Sequence, residues 1–207
     1  MLPGPTIIKK CSACTGLIKK HTIASGNTFG AVFWTDGKMD APMLPDSPKL
    51  VKCPYCGSLI WIDQLETMEE VNAFDPGSTN AREPGNPNLD DYAAFLSNNQ
   101  LLQPEVEKDV RVRAWWRGND ERRRDQQSSF TETEIQNLDM LTALLDRSID
   151  YERLMQAEIK RERGDFEHAL ELLDQPFDEQ LSDAVTFIRN LVLQGDQVVV
   201  PIHADME

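Results

Sequence analysis

Long apolar runs are missing from this chain of 207 residues. No stretch approaches the roughly 18 consecutive apolar residues that cross a bilayer as a helix, so membrane insertion by a helical span is not expected. Met1 to Lys10 places two lysines after a short apolar run rather than before a long one, which does not match a secretory signal. Histidine is scarce, with only His21, His168 and His203, and a histidine-based triad has little to draw on. There is no Walker loop, no Gly-x-Ser-x-Gly elbow, no His-Glu-x-x-His helix and no Gly-x-Gly-x-x-Gly turn. These absences point away from an enzyme. Basic residues are outnumbered, 21 against 35 acidic ones, for a net charge of −14. A chain this acidic lacks the lysine and arginine excess that supplies most non-specific affinity for nucleic acid. The charge is unevenly placed. Residues 1–65 carry seven lysines against Asp36, Asp40, Asp46 and Asp63, a formal +3 that leaves −17 for the remainder.

Cysteine is equally sparse, but all four residues fall in two Cys-x-x-Cys pairs, Cys11-Ser12-Ala13-Cys14 and Cys53-Pro54-Tyr55-Cys56. Each two-residue gap lets a tight turn aim two sulfurs at one point, and two such turns supply the four thiolates of a tetrahedral zinc site. Paired thiols without an export signal favour a reducing, cytoplasmic setting over disulfides. Four cysteines close the coordination sphere, so the zinc reads as a structural staple rather than a catalytic ion. Redox chemistry at the pairs and competition by His21 for the metal are lesser readings. Gly16 and Gly57 lie just behind the two pairs, where glycine lets the chain fold back and aim amides at sulfur.

The flanking segments read as strands: Thr6 to Ile8, Leu17 to Ser25, Phe29 to Thr35, Leu50 to Lys52 and Leu59 to Ile62. Asp36-Gly37 suits a tight hairpin turn, and Pro42, Pro45 and Pro48 mark a loop. With these features residues 6–64 resemble the zinc-ribbon superfamily, most specifically in the Cys-Pro-Tyr-Cys-Gly knuckle at 53–57. The 38 residues between Cys14 and Cys53 exceed the roughly 15–20 of a compact ribbon and imply an inserted hairpin and loop. Trp34 and Trp61 fall on strands of this module, where they either pack the sheet or form an aromatic platform.

A proline, glycine and asparagine run at 75–88 reads as a linker. Beyond it the hydrophobic period changes from two to about 3.6. One helix starts near Leu89. A second begins at Pro104 and is expected to end at Gly118. Thr131 with Glu134 forms a capping box whose helix is expected to point Ile135, Leu138, Leu141 and Leu145 inward, with Phe130 and Ile135 at the staple positions. Further helices run from Tyr151 to Arg163, from Phe166 until Pro176 ends the element, and from about Asp178 to Gln194 with Gly195 as terminator; Val198 to Ile202 suits an edge strand. Gly164-Asp165-Phe166-Glu167-His168-Ala169, with Ala157 seven residues before the glycine, resembles the turn of a tetratricopeptide helical hairpin. Arg153, Gln156 and Lys160 occupy its large apolar positions, and no second copy follows at a 34-residue period. A zinc ribbon followed by such helices resembles poorly characterised bacterial proteins.

Arg111, Arg113, Trp115, Trp116 and Arg117, with Arg122 to Arg124 beyond, interleave arginine with tryptophan and are the candidate ligand-binding residues outside the cysteines. The preferred reading of this stretch packs the tryptophans between helices and pairs the arginines with neighbouring acids. Acidic runs such as Asp120-Glu121 read as solvated helix faces.

The sequence therefore predicts an α+β protein: a zinc-ribbon β module at 1–74, a linker at 75–88, and an acidic helical domain at 89–207 with a helical hairpin near 150–175. Cys11, Cys14, Cys53 and Cys56 are the expected ligands of a structural Zn2+. The expected role is a cytoplasmic, non-catalytic adaptor or scaffold that binds another protein. The alternative is a nucleic-acid-associated factor using Lys9, Lys10, Lys19, Lys20 and the Trp-Arg helix, and the third reading is an enzyme without a recognisable motif.

Overall fold

The computed structural model describes residues 1–74, 80–124 and 129–202. Residues 75–79 of the expected linker, and His203, lie outside them. The layout is α+β, with small antiparallel sheets followed, among the described residues, by six α-helices. The chain divides into two compact units, Met1–Ala31 with Asp40–Asp91, and Val32–Met39 with Tyr92–Glu207.

In the first unit β1 (Leu2–Lys10) is the centre of a three-stranded sheet between β2 (Leu17–Ser25) and β7 (Glu66–Val71). Ile8 pairs with Lys19 on one side and Glu69 on the other. The β1–β2 register slips between Pro3 and Thr6, where prolines offer no N–H to the ladder. Thr22 Oγ1 donates to the Pro5 carbonyl there (2.7 Å). Sequence periodicity gave no sign of β7, because Glu66 to Glu70 are all exposed and no face of it is buried.

The remaining pieces of this unit hold the cysteines. β5 (Leu50–Lys52) and β6 (Leu59–Trp61) form a short hairpin with Val51 opposite Ile60. Its core is small: Cys11, Ile18, Val51, Cys53, Ile60, Ile62 and Leu65. Two further residues are bound to it by ladder-type bonds. Arg82 exchanges backbone bonds with Leu17 and Lys19 (3.0 and 2.9 Å), and Gly85 exchanges two of 2.8 Å with Lys52. Asn88 and Asp91 then bond side chain to backbone reciprocally (2.8 and 2.9 Å) at the start of α1 (Leu89–Asn98).

In the second unit α4 (Asp150–Glu162) is central. Its Met155 and Ile159 join Trp115, Leu138, Leu141 and Leu145 from α2 (Pro104–Arg124) and α3 (Glu132–Leu144). Its Leu154 and Ala157 join Ala169, Leu172, Leu173, Ile188 and Val192 from α5 (Phe166–Leu173) and α6 (Ser182–Gln194). Gly164 and Gly195 take positive φ after α4 and α6, as C-terminal glycines do.

Three local expectations need correcting. Gly118 lies inside α2, which runs to Arg124; a Cβ there would collide with the Glu134 carboxylate, so this glycine serves close approach rather than termination. Ile135 is exposed, because the inward stripe of α3 is Glu134, Leu138, Leu141 and Leu145, about 100° away. Of the expected strand from Phe29 to Thr35, only β3 (Val32–Phe33) is regular, paired with β4 (Met39–Asp40) around the Thr35-Asp36-Gly37 turn. The capping box of α3 is present, with Thr131 N donating to Glu134 Oε2 (2.8 Å) and Glu134 N to Thr131 Oγ1 (3.3 Å).

Candidate functional site

Two turns of the same construction carry the cysteines. In the first, Cys11 N donates to the Gly16 carbonyl (2.9 Å) and Thr15 N to the Cys11 carbonyl (3.0 Å). In the second, Cys53 N donates to the Ser58 carbonyl (2.9 Å) and Gly57 N to the Cys53 carbonyl (3.0 Å). The residue after each second cysteine is left-handed: Gly57 at φ 75°, and Thr15 at φ 62°. Gly16 therefore does not supply the first turn's positive φ. Its space is taken by the Tyr55 ring of the opposite turn, which a Cβ at Gly16 would strike. Tyr55 is fixed in turn by its hydroxyl on the Asn80 carbonyl (3.0 Å) and by the Arg82 guanidinium 4.8 Å from its ring centre.

These turns bring all four sulfurs within 4.8 Å of one another. Cys11 Sγ lies 4.0 Å from Cys56 Sγ, and Cys14 Sγ 3.7 Å from Cys53 Sγ. These separations exclude disulfides, whose S–S bond is about 2.0 Å. They match a tetrahedron with metal–sulfur bonds of about 2.3 Å, whose edges are about 3.8 Å. Backbone amides of Gly16 face Cys14, those of Tyr55 and Cys56 face Cys53, and Ser58 places its amide and hydroxyl on Cys56. Such bonds support negative sulfur. Ser58 holds the exposed Cys56 thiol down at about 6. On Cys14 the Gly16 amide pulls the same way, but burial and the three neighbouring sulfurs outweigh it and push the thiol up to about 12. Burial also raises Cys53. Four thiols this close cannot all ionise without a cation among them. Tetrahedral tetrathiolate sites suit zinc or iron, and with four protein ligands no position is left for water or substrate. His21 is not in the cluster; it bonds Thr6 Oγ1 (3.2 Å) and Glu83 (2.8 Å).

The Trp-Arg helix is α2. Trp115 is 2% exposed and donates its Nε1–H to Glu162 (3.1 Å), while half-buried Trp116 donates to the Asp36 carbonyl (3.0 Å). Arg111 bonds Glu107 (2.8 Å) and Asn137 (3.3 Å); Arg113 lies 3.5 Å from Asp109 and over the Trp116 ring. Arg117 is half-buried, and its shielded Nε has no acceptor among the described residues. In the first unit Lys9 is buried on the Leu65 carbonyl and Thr67, while Lys10, Lys19 and Lys20 pair with Glu66, Glu83 and Asp63. Trp34 lies under the Arg123 guanidinium, 4.4 Å from its ring centre.

A buried polar hub in the helical unit escaped the sequence reading. Arg161, fully buried, grips Glu158 with two bonds (2.6 and 2.7 Å) and donates to Thr35 Oγ1 (3.2 Å) and the carbonyls of Asp196 (2.6 Å) and Val198 (3.0 Å). It thereby ties α4 to the turn after β3 and to the terminal segment, where Thr35 N donates to Val200 O (3.1 Å) and Ile202 N to Phe33 O (2.7 Å). Asp36, 1% exposed, accepts from Asn119 Nδ2 (2.8 Å), Lys38 N (3.1 Å) and Arg123. Glu162 has only neutral donors, Trp115 and Asn119, and no cation within ion-pair distance among the described residues. Burial, then the charges of Glu158 and Asp36, hold its carboxyl well above the usual range. The one signal in the sequence was the Glu158–Arg161 spacing of three.

Among the described residues no helix is long and apolar enough to cross a membrane. Compared with protein-family models, curated proteins and solved structures, the chain has no match.

Proposed function

We propose that Cys11, Cys14, Cys53 and Cys56 hold a structural zinc ion and that the protein is a non-catalytic adaptor or scaffold, its helical unit presenting a surface to another protein. The observation that carries the metal part is the sulfur spacing: four sulfurs within 4.8 Å of one another, with the Cys11–Cys56 and Cys14–Cys53 separations close to the edge of a tetrahedral site, supported by amides and supplying a full set of four ligands. When bound, zinc would contribute a dication that allows all four thiols to lose their protons and cross-links two distant turns. The need is plain from the small core around the site, which includes two of the cysteines themselves. The adaptor part draws support from the helical hairpin α4–α5. The ion-paired state of Lys10, Lys19 and Lys20 and the burial of Trp115 speak against the nucleic-acid alternative.

Metal analysis of the purified protein tests the first part. One zinc per chain is expected, falling below half in Cys53→Ser; a natively folded protein without metal would refute it. Affinity capture with the intact chain tests the second, where recovery of nucleic acid and no protein would count against an adaptor.

A further inference from the structure

We propose that the cavity on the α4–α5 hairpin is a binding site for a phosphate monoester, whose dianion is held by Arg147 and His168. The cavity measures about 500 Å³ and is lined by Arg147, Ser148, Arg153, His168, Glu171, Leu172 and Gln175. That volume lies within the range of small-molecule sites. Arg147 distinguishes it, as a cation with no carboxylate partner among the described residues; Arg153 is paired with Asp150, and His168 with Asp165 through Nδ1 alone. In the cavity beside β2, Lys19 and Lys20 are already paired with Glu83 and Asp63, and in the one beside α3, Arg111 is paired with Glu107.

Arg147 is anchored by Nε on Gln156 Oε1 (3.1 Å), and its two terminal nitrogens have no partner among the described residues. His168 is oriented by Nδ1 on Asp165 (2.7 Å), leaving Nε2 open. The Asp165 bond and charge also raise the imidazole's pKa, with Glu171 adding to the rise and Lys160 opposing it, so the imidazolium donor persists closer to neutrality. A guanidinium edge and one imidazolium N–H offer three donors to the three oxygens of a monoester, and two positive charges to its dianion.

The wall behind these groups is firm. Arg153 is 7% exposed and braces the surrounding loops through the Arg147 carbonyl (3.0 Å), Asp150 (2.9 Å), the Pro176 carbonyl and the Phe177 ring. Leu172 supplies an apolar floor for the organic part of the ligand, and Glu171 is the carboxylate that opposes an anion. The inference depends on neither the zinc nor the adaptor reading.

NMR titration of the intact chain, following the His168 imidazole at constant ionic strength, tests it with inorganic phosphate, phenyl phosphate and acetate. Saturable shifts are expected with both phosphates, with phenyl phosphate at least threefold tighter because its ring reaches Leu172. Arg147→Gln should weaken binding at least tenfold, and Glu171→Gln should tighten it severalfold. Both positions are exposed, so neither change is expected to unfold the protein. A linear response no different from added chloride would overturn the site. Unchanged affinity in both variants would do the same, and acetate saturating at equal concentration would overturn the dianion assignment.

Discussion

Glu162 shows how one buried group makes stability depend on pH. Three buried carboxylates, Asp36, Glu158 and Glu162, meet two guanidiniums, Arg123 and Arg161, and on the carboxylate left over burial and the neighbouring negative charges favour the protonated form. Its folded pKa is raised, so its contribution is whole below the unfolded value and is lost as pH rises toward the folded one. Across that window folding takes up a proton, and stability falls by up to about 1.4 kcal/mol per pH unit for a single group. Burial raises Asp36 too, against the pull of Arg123, and its sign is the same. Glu162→Gln keeps an oxygen for Trp115 and Asn119 without needing a proton. Urea titrations should find the variant more stable than the parent by about 1 kcal/mol or more at pH 8. The gain should be small at pH 5, and Asp36 should leave a residual slope. An equal gain at both values would refute the protonated Glu162. Thr15 is a second residue under strain, since a β-branched side chain at φ 62° is disfavoured. Left-handed non-glycine residues cost of order 1–3 kcal/mol, partly offset in Thr15→Gly by the entropy of a more flexible unfolded chain. That change should tighten zinc binding by about tenfold, the equivalent of about 1.4 kcal/mol; competition with a chromogenic chelator measures it.

Contacts between elements explain what single residues cannot. A glycine in a helix ordinarily gains about 1 kcal/mol on replacement by alanine. At Gly118 the sign should reverse, because the new Cβ meets a carboxylate that cannot step aside: Glu134 is 7% exposed, closes the capping box with Thr131 and pairs with Arg122. Gly118→Ala is expected to destabilise by about 1–2 kcal/mol in urea unfolding, and a stabilised variant would mean that α2 and α3 separate freely. Thr131 and Glu134 lie three residues apart, so the sequence alone identified their box. The partner at Gly118 is far away in the chain, and the glycine read as a stop. The same distance limit applies to α4. Arg161 and Glu162 look like part of an exposed face until Thr35, more than 100 residues earlier, meets the first and Trp115 and Asn119 meet the second in the interior. β7 was illegible for a different reason, since a strand with no buried face has no alternation to read. The cysteine pairs were the most legible feature, because ligand type and spacing are local and chemically restrictive.

At the scale of the molecule, the two units keep their cores by different means, and metal removal should separate them. The helical unit buries two apolar clusters that contain no cysteine. The other unit relies on a cluster of seven, two of them cysteines, beside a three-stranded sheet whose edge strand β7 is exposed along nearly its whole length. Small modules of this kind often draw their folding free energy from the metal. Chelation with a strong zinc ligand should therefore abolish amide protection at Cys11, Cys53, Gly57 and Lys52. The helical signal at 222 nm should change little. Restoring one equivalent of zinc should return the protection, and doing so in Cys53→Ser should fail. If chelation left these amides protected, Ile18, Val51, Ile60, Ile62 and Leu65 would suffice as a core, and the four sulfurs would be a site that the fold holds ready rather than a clamp on which it depends.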